Sequence, residues 1–372
     1  MDLACPAKIE IIASIMNQSP KLSDVRIEGF RGITDLILND LGTVNILIGL
    51  NGVGKTSVLE ACAIAANPTN PTLVAQLGTW REMPNLSLAS DFAVRSIFPG
   101  VDVNREVKLT FTVDGREERL VMHALQRQGG AVETATSDPS APSSSVAPEQ
   151  FRGMRYDYHP AGAKQLSSHL ELSANGFTSK TASGHLGLGS FYVHARRSTS
   201  PGETSSVLTA LYETKSERPF IETLKRIDRR IEKIVPGSRQ NQPVVLVDVG
   251  LPRLLPMNSL GDGFCRVCLI ATGIASRGPK LVIVDEIDSG LHFSVMTTFW
   301  EAILTLLDQW PVQLFCATHN EEMLQTTLAA FADRRDALRI FRLDRGSDGN
   351  VSAQKYTYDT FQEATEAGFD VR

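Results

Sequence analysis

The sequence predicts an α/β protein with a mainly parallel central sheet, antiparallel hairpins ahead of it, and a helical and irregular insertion in the middle. Three observations predict it. An apolar stretch, VNILIG (44–49), runs directly into the glycine-rich GLNGVGKTS (49–57), and a helix-forming segment follows from Lys55. From residue 243 onward, short runs that are apolar throughout alternate with helical stretches, as expected of a parallel sheet covered on both faces. Ahead of these, VRIEGFRGITDLIL (25–38) and EVKLTFTVDGREERLVM (106–122) alternate apolar and polar residues, the period of half-buried hairpins.

Taken in chain order, the first hairpin bends around Gly29 and Gly32, and the strand over 44–49 leads through the glycine loop into a helix, Lys55 through SVLEACAIAA. SLASDFAVRSIF reads as a short helix, and the second hairpin turns at Asp114-Gly115. Residues 134–149, rich in Ser, Pro and Ala, read as an exposed connector, and the Gly/Ser-rich stretch 160–190 as loop. ERPFIETLKRIDRRIEKIVPG (217–237) reads as one amphipathic helix. Ile221, Leu224, Ile227, Ile231 and Ile234 fall on one face, with Lys225, Arg226, Arg229, Arg230 and Lys233 off it. VVLVDV is then a strand, GDGFCRVCLIATGIAS a helix, KLVIVDE a strand, SVMTTFWEAILTLLDQW a helix and VQLFCATH a strand, while ALRIFRLDR and VSAQKY close the sheet. The chain thus divides into an N-terminal half of the core over 1–123, an inserted lobe over 124–240, and a C-terminal half over 241–372.

Charge and composition exclude several classes. A net charge of −5 makes the surface as a whole no general trap for polyanions, although a local basic patch such as that of 225–233 is compatible with it. No apolar run reaches 18 residues, so no transmembrane helix and no membrane partner are expected. The opening MDLACPAKIE places an acid where a secretory signal needs a base, and the scattered cysteines, odd in number, suit a reducing cytoplasm. CRVC (Cys265, Cys268) has no second pair and no nearby histidine, and reads as two small buried residues rather than a metal site.

The chemistry is concentrated in four short stretches. GLNGVGKT, with a strand before it and a helix after it, is a phosphate-binding loop of a P-loop NTPase. Gly49, Asn51, Gly52 and Gly54 let the backbone curl round the β-phosphate, Lys55 reaches the β- and γ-phosphates, Thr56 ligates Mg²⁺, and Ser57 contacts the α-phosphate. KLVIVDE carries Asp285 and Glu286 to the end of an apolar strand, where ligands of α/β sheets gather. There Asp285 is the candidate for holding Mg²⁺ and Glu286 the candidate general base for the attacking water. QLFCATHN puts His319 at another strand end, within reach of a γ-phosphate. LPMNSLGDGFCRV adds a second anion-receptive turn, Ser259 followed by Gly261, Asp262 and Gly263, and is read as serving the nucleotide of a second copy of the chain.

With these in place, the order FRG, GLNGVGKT, SLGDG…R, LVIVDEIDSGLH and ATHNEEML resembles the ABC-type ATPases of the RecF/OLD branch, relatives of SMC proteins and often grouped as AAA-family ATPases. The resemblance runs from about residue 22 to the end, with 124–190 adding little. It implies an ABC-ATPase head that dimerises around two ATP molecules. Ser259 and the Gly261–Gly263 turn of one subunit would cap the ATP held by Gly49–Thr56 of the other, with residues 290–292 near the interface and Arg31 on the nucleotide or DNA side. The chain departs from its relatives in three ways. SLGDG is not the signature of membrane-transporter ATPases, no long coiled coil interrupts the head, and the short stretch after His319 leaves no room for the nuclease domain of OLD proteins.

The function expected is therefore an ATP-hydrolysing, Mg²⁺-dependent switch of the cytoplasm that forms an ATP-bridged dimer or larger homo-oligomer. Its outputs would be a separately encoded effector such as a nuclease, in anti-phage or toxin-like defence, or DNA clamped directly in the manner of a RecF-like repair ATPase. A scaffold that uses ATP only to assemble and hold a partner is the third reading.

Overall fold

The computed structural model describes residues 21–80, 86–127, 150–173, 176–183, 187–196 and 200–368, so the connector expected over 134–149 lies outside the described residues. The first half of the chain builds an antiparallel sheet. Strands β1 (Leu22–Phe30) and β2 (Ile33–Leu38) form the first hairpin, and β3 (Val44–Ile48) leads through the glycine loop into α1 (Lys55–Ala65). Helices α2 (Thr72–Trp80) and α3 (Leu86–Arg95) follow. The second hairpin, β4 (Val107–Val113) and β5 (Arg116–Arg127), turns at Asp114-Gly115 with both residues at positive φ, as a tight primed turn requires.

The stretch expected to be loop, 160–190, contains two strands of this sheet, which follow a further strand just ahead of it. β6 (Gln150–His159), β7 (Leu166–Ser173) and β8 (Gly176–Lys180) continue the same sheet, giving the order β2-β1-β4-β5-β6-β7-β8, antiparallel throughout. In β7 and β8 the open face is polar, which hides the alternation: in β7 only Ser168 and Leu170 are buried, and in β8 no residue is.

A six-stranded sheet carries the edge at which the candidate site lies. β9 (Ser190–Val193), β13 (Leu281–Val284), β14 (Gln313–Ala317), β3 and β15 (Leu338–Arg345) run parallel, and β16 (Val351–Thr357) closes the far side antiparallel to β15. β3, β13 and β14 are buried along their whole length. Leu281 and Ile283 face the core shared with α1 and the seven-stranded sheet. Val282 and Val284 face a second core, formed with the helices α4 (Pro201–Glu213), α5 (Arg218–Ile227), α6 (Asp262–Ala275), α7 (Met296–Gln309) and α8 (Glu321–Phe331). The chain ends its described part in α9 (Tyr358–Glu366).

Two expectations over 217–248 change. The amphipathic helix stops at Ile227, because Asp228 turns extended and its carboxylate accepts from the backbone N–H and guanidinium of Arg230. Pro236, which a helix interior does not tolerate, lies in β10 (Lys233–Arg239) instead. Ile231 and Ile234 are still buried, Ile231 in the turn after the helix and Ile234 on β10, rather than on a helix face. VVLVDV, in turn, is not in the parallel sheet. It is β11 (Gln242–Asp248) of a small antiparallel sheet, β10-β11-β12, with β12 at Leu255–Pro256, and Gln240-Asn241 at positive φ make the turn.

CRVC reads as expected. Cys265 and Cys268 are buried on α6, and burial raises both thiols, Cys265 to about 11. Among the described residues, no helix is long and apolar enough to cross a membrane.

The two sheets are joined by one buried amide. Gln313, at the start of β14, accepts from the Leu22 N–H at 2.8 Å and donates to the carbonyls of Leu22 and Gly42 at 2.9 and 3.0 Å. Gln313→Leu removes these partners from buried backbone groups. The expected loss is about 1–3 kcal/mol of unfolding free energy, measured by urea denaturation.

Candidate nucleotide-binding site

Because the strands are parallel, β3, β13, β14 and β9 all end at one edge, and the polar residues that follow them meet there. The loop after β3 is shaped by its glycines. Gly49, Gly52 and Gly54 have φ of 134°, 78° and 122°, and a Cβ on Gly49 would run into the Leu343 carbonyl of β15. Arg345 of the same strand donates to the Val53 carbonyl at 3.3 Å, fixing the loop from behind. The loop closes into α1, whose N-terminal dipole favours an anion.

Lys55 and Thr56 open that helix. The Lys55 ammonium donates to the carbonyls of Gly49 at 2.6 Å and Leu50 at 3.1 Å, so the side chain folds back across the loop. Burial lowers its pKa, while the carboxylates of Asp285, Glu286 and Asp288 act to raise it, which places all three acids in its field. Thr56 Oγ1 donates to Asp285 Oδ2 at 2.9 Å. A hydroxyl and a carboxylate so placed are two hard oxygen donors suited to Mg²⁺. Among the described residues, no group of three or more His, Cys, Asp or Glu is arranged to hold a metal. A Mg²⁺ here would be held by Thr56 and Asp285, where it would neutralise phosphate charge. Asn51 and Gly52 are exposed, and Ser57 is half-buried on the first turn of α1.

The strand-end acids differ in environment. Asp285 is buried and Glu286 is exposed. Glu286 has φ 49°, a left-handed conformation uncommon for a residue with a side chain. Backbone bonds hold it there: Asp285 N–H donates to Val193 of β9, Ile287 N–H to Ala317 of β14, and Ser289 N–H to the Glu286 carbonyl. One strand over, Thr318 is buried and donates to Asp288 Oδ1 at 2.7 Å, Asn320 caps α8, and His319 stands exposed between them.

The SLGDG turn has an exposed outer side: Ser259, Gly261 and Asp262 are all exposed. Its inner side abuts the loop after β13, and a Cβ on Gly263 would run into the Gly290 carbonyl. Of the other residues singled out, Arg31 is turned inward, its guanidinium 2.8 Å from the buried Glu60 of α1.

Two residues given no role in the sequence reading belong to this edge. Asp288 is one; a third acid following Asp285 and Glu286 in the same loop was its only signal. Arg266 is the other, a cation in an otherwise apolar stretch of α6, and a charge in such a helix needs buried partners.

Residues 197–324 match the family described as "AAA domain, putative AbiEii toxin, Type IV TA system", and residues 21–75 match a family described as a protein of unknown function. An ATP/GTP phosphatase of Helicobacter pylori is 19% identical over 327 residues, which span 82% of this chain and 86% of that protein. An uncharacterised protein of Methanocaldococcus jannaschii is 44% identical over 43 residues, 12% of this chain and 20% of that one. Among solved structures, an SMC head bound to the C-winged helix domain of ScpA aligns with TM-score 0.49 at 10% identity, over 92% of this chain and 99% of that one. The SMC head domain from Thermotoga maritima aligns with TM-score 0.44 at 12% identity, over 90% and 99%. The fold is that of an α/β P-loop ATPase. Within it, the stretch 197–324 is similar to the AAA domain family.

Gly263→Ala tests the contact beneath the turn. The added methyl must displace Gly290, and a loss of about 1–3 kcal/mol in unfolding free energy is expected, measured by denaturant titration.

Proposed function

We propose that the protein is an ATP-hydrolysing switch of the cytoplasm that binds Mg-ATP in the Gly49–Ser57 loop and assembles with a second copy of itself around the nucleotide. The observation that carries this reading is the convergence of Lys55, Thr56, Asp285 and Glu286 at one sheet edge. Lys55 and the glycine loop hold the phosphates, and Thr56 and Asp285 hold Mg²⁺, which neutralises phosphate charge. Glu286 orients the attacking water and takes its proton; its exposure keeps it open to a ligand at the edge. His319 bonds the γ-phosphate. The open outer side of the turn, at Ser259, Gly261 and Asp262, supports the role of the Ser259–Gly263 turn on the partner copy's nucleotide.

The family description, with its AbiEii toxin and toxin–antitoxin wording, supports an output in toxin-like or anti-phage defence through a separately encoded effector such as a nuclease. The name of the Helicobacter pylori relative supports nucleoside triphosphate hydrolysis as the chemistry.

Glu286→Gln is expected to bind Mg-ATP but to lose at least ~100-fold in turnover. In solution its mass should double on adding Mg-ATP. Wild-type turnover in this variant rules out Glu286 as the base, and a mass unchanged by ATP rules out nucleotide-driven assembly.

A RecF-like reading, in which the assembled form grips DNA, draws support from one surface. Lys225, Arg226 and Arg229 line a groove of about 440 Å³ between α5 and α7, shared with Glu222, Thr298 and Glu301. Arg230 and Lys233 lie outside it, Arg230 being engaged by Asp228 at 2.7 Å. Arg226→Glu with Arg229→Glu should abolish ATP-dependent DNA binding, read as retention on a duplex at low salt. Retention equal to wild type removes this reading.

A further inference from the structure

The groove between α5 and α7 is lined by charge and by no apolar side chain. Its walls are Glu222, Lys225 and Arg226 of α5, Arg229 just beyond that helix, and Thr298 and Glu301 of α7, around about 440 Å³. Beneath it the two helices share one core. Phe220 and Leu224 of α5 are fully buried with Phe299 and Trp300 of α7, so the backbone under the groove is set by packing.

Pairing inside the groove is incomplete. Lys225 reaches Glu222 at 3.3 Å, and Arg230, next along the chain, is engaged by Asp228. Among the described residues, Arg226 and Arg229 have no carboxylate at ion-pair distance, and Glu301 has no cation. All three are exposed. Two guanidiniums and a carboxylate thus line one groove without closing on one another.

The chemistry of the lining selects among occupants. A small-molecule site is mostly apolar, with a few polar groups that orient the ligand, and this groove has no apolar wall. A nucleic-acid backbone carries charge of one sign at regular spacing, and Glu222 and Glu301 would stand against it. A protein segment with charges of both signs leaves no group opposed. The planar forks of Arg226 and Arg229 can each donate two bonds to a carboxylate, and Glu301 can accept from a base.

We infer that the α5–α7 groove is the docking surface for a separately encoded protein, whose segment presents two carboxylates to Arg226 and Arg229 and a basic side chain to Glu301. The inference rests on the reading of the chain as a switch with a protein output. α7 follows directly on the connection 285–295, which begins with Asp285 and Glu286, so the partner sits one loop away from the proposed hydrolytic site.

Two helical peptides of about 15 residues on an alanine background test this. One carries two glutamates a turn apart and a lysine a turn further on; the other has the same pattern with the signs exchanged. Binding is read by fluorescence anisotropy at low salt and without nucleotide, beside a short DNA duplex. The wild-type chain should bind the acidic peptide, release it as salt rises, and bind the exchanged peptide at least ~10-fold more weakly. Arg226→Glu with Arg229→Glu should reverse that preference, and Glu301→Lys alone should weaken the acidic peptide. Melting temperatures check that these variants of exposed residues fold, and the wild-type comparison of the two peptides stands without them. Binding of neither peptide, equal binding of both, or a preference unmoved by the reversal overturns the inference. A duplex held more tightly than the acidic peptide, and lost on the same reversal, overturns it in favour of DNA. No nucleotide is present, so failure here is distinct from failure of the switch itself, which Glu286→Gln reports.

Discussion

A strand buried on both faces has no place for an unpaired polar side chain until it ends, and this constraint organises the chain. β3, β13 and β14 are covered on one side by α1 and the seven-stranded sheet and on the other by α6, α7 and their neighbours. The two polar residues these strands do contain are satisfied locally or at a seam. Asn45 closes on the N–H and carbonyl of Gly42, and Gln313 closes on Leu22 and Gly42. Gly49, Asp285 and Thr318, positions of the candidate site, follow directly on these strands. Parallel pairing then brings those positions to one edge without any further design.

The same constraint explains what could be read from the residues alone. Continuous apolar runs ending in a glycine loop, an acidic pair or Thr-His mark both the strands and the ends proposed to hold a site, so β3, β13 and β14 were legible together with the residues that follow them. Hairpins with one wet face were legible where a glycine turn punctuated them, as at Asp114-Gly115. β7 and β8 were not, because serine and threonine on the open face erase the contrast that period-two reading needs. The segment 217–237 misled for the opposite reason. Its isoleucines keep helical spacing across a boundary, and the stronger signals were local: Asp228 binding Arg230, and Pro236. Arg266 illustrates a third limit. Its partners are backbone carbonyls from two distant strands, and carbonyls carry no sequence signature.

Charge is distributed along the same logic. The strand-end edge gathers Asp285, Glu286 and Asp288 against the ammonium of Lys55 and the guanidinium of Arg266, a balance that favours arrival of a cation together with its phosphate ligand. Some cations elsewhere are engaged by surface acids, as Arg334 is by Asp308 and Arg339 by Asp40. Exposed pairs of this kind add little stability. The buried Arg31–Glu60 pair behind α1 is different, since loss of either partner strands a charge in the core.

The depth at which α1 is set has a thermodynamic corollary. Every residue from Val58 to Ala65 is buried, so the helix cannot shift without unpacking two sheets. The conformational entropy of ordering the loop's C-terminal anchor is therefore surrendered when the chain folds, before any ligand arrives. What remains to be ordered at encounter is mainly the ligand itself and a few exposed side chains. Association at such a cradle should approach that of rigid bodies, with a small heat-capacity change and an affinity set by charge and shape rather than by induced folding.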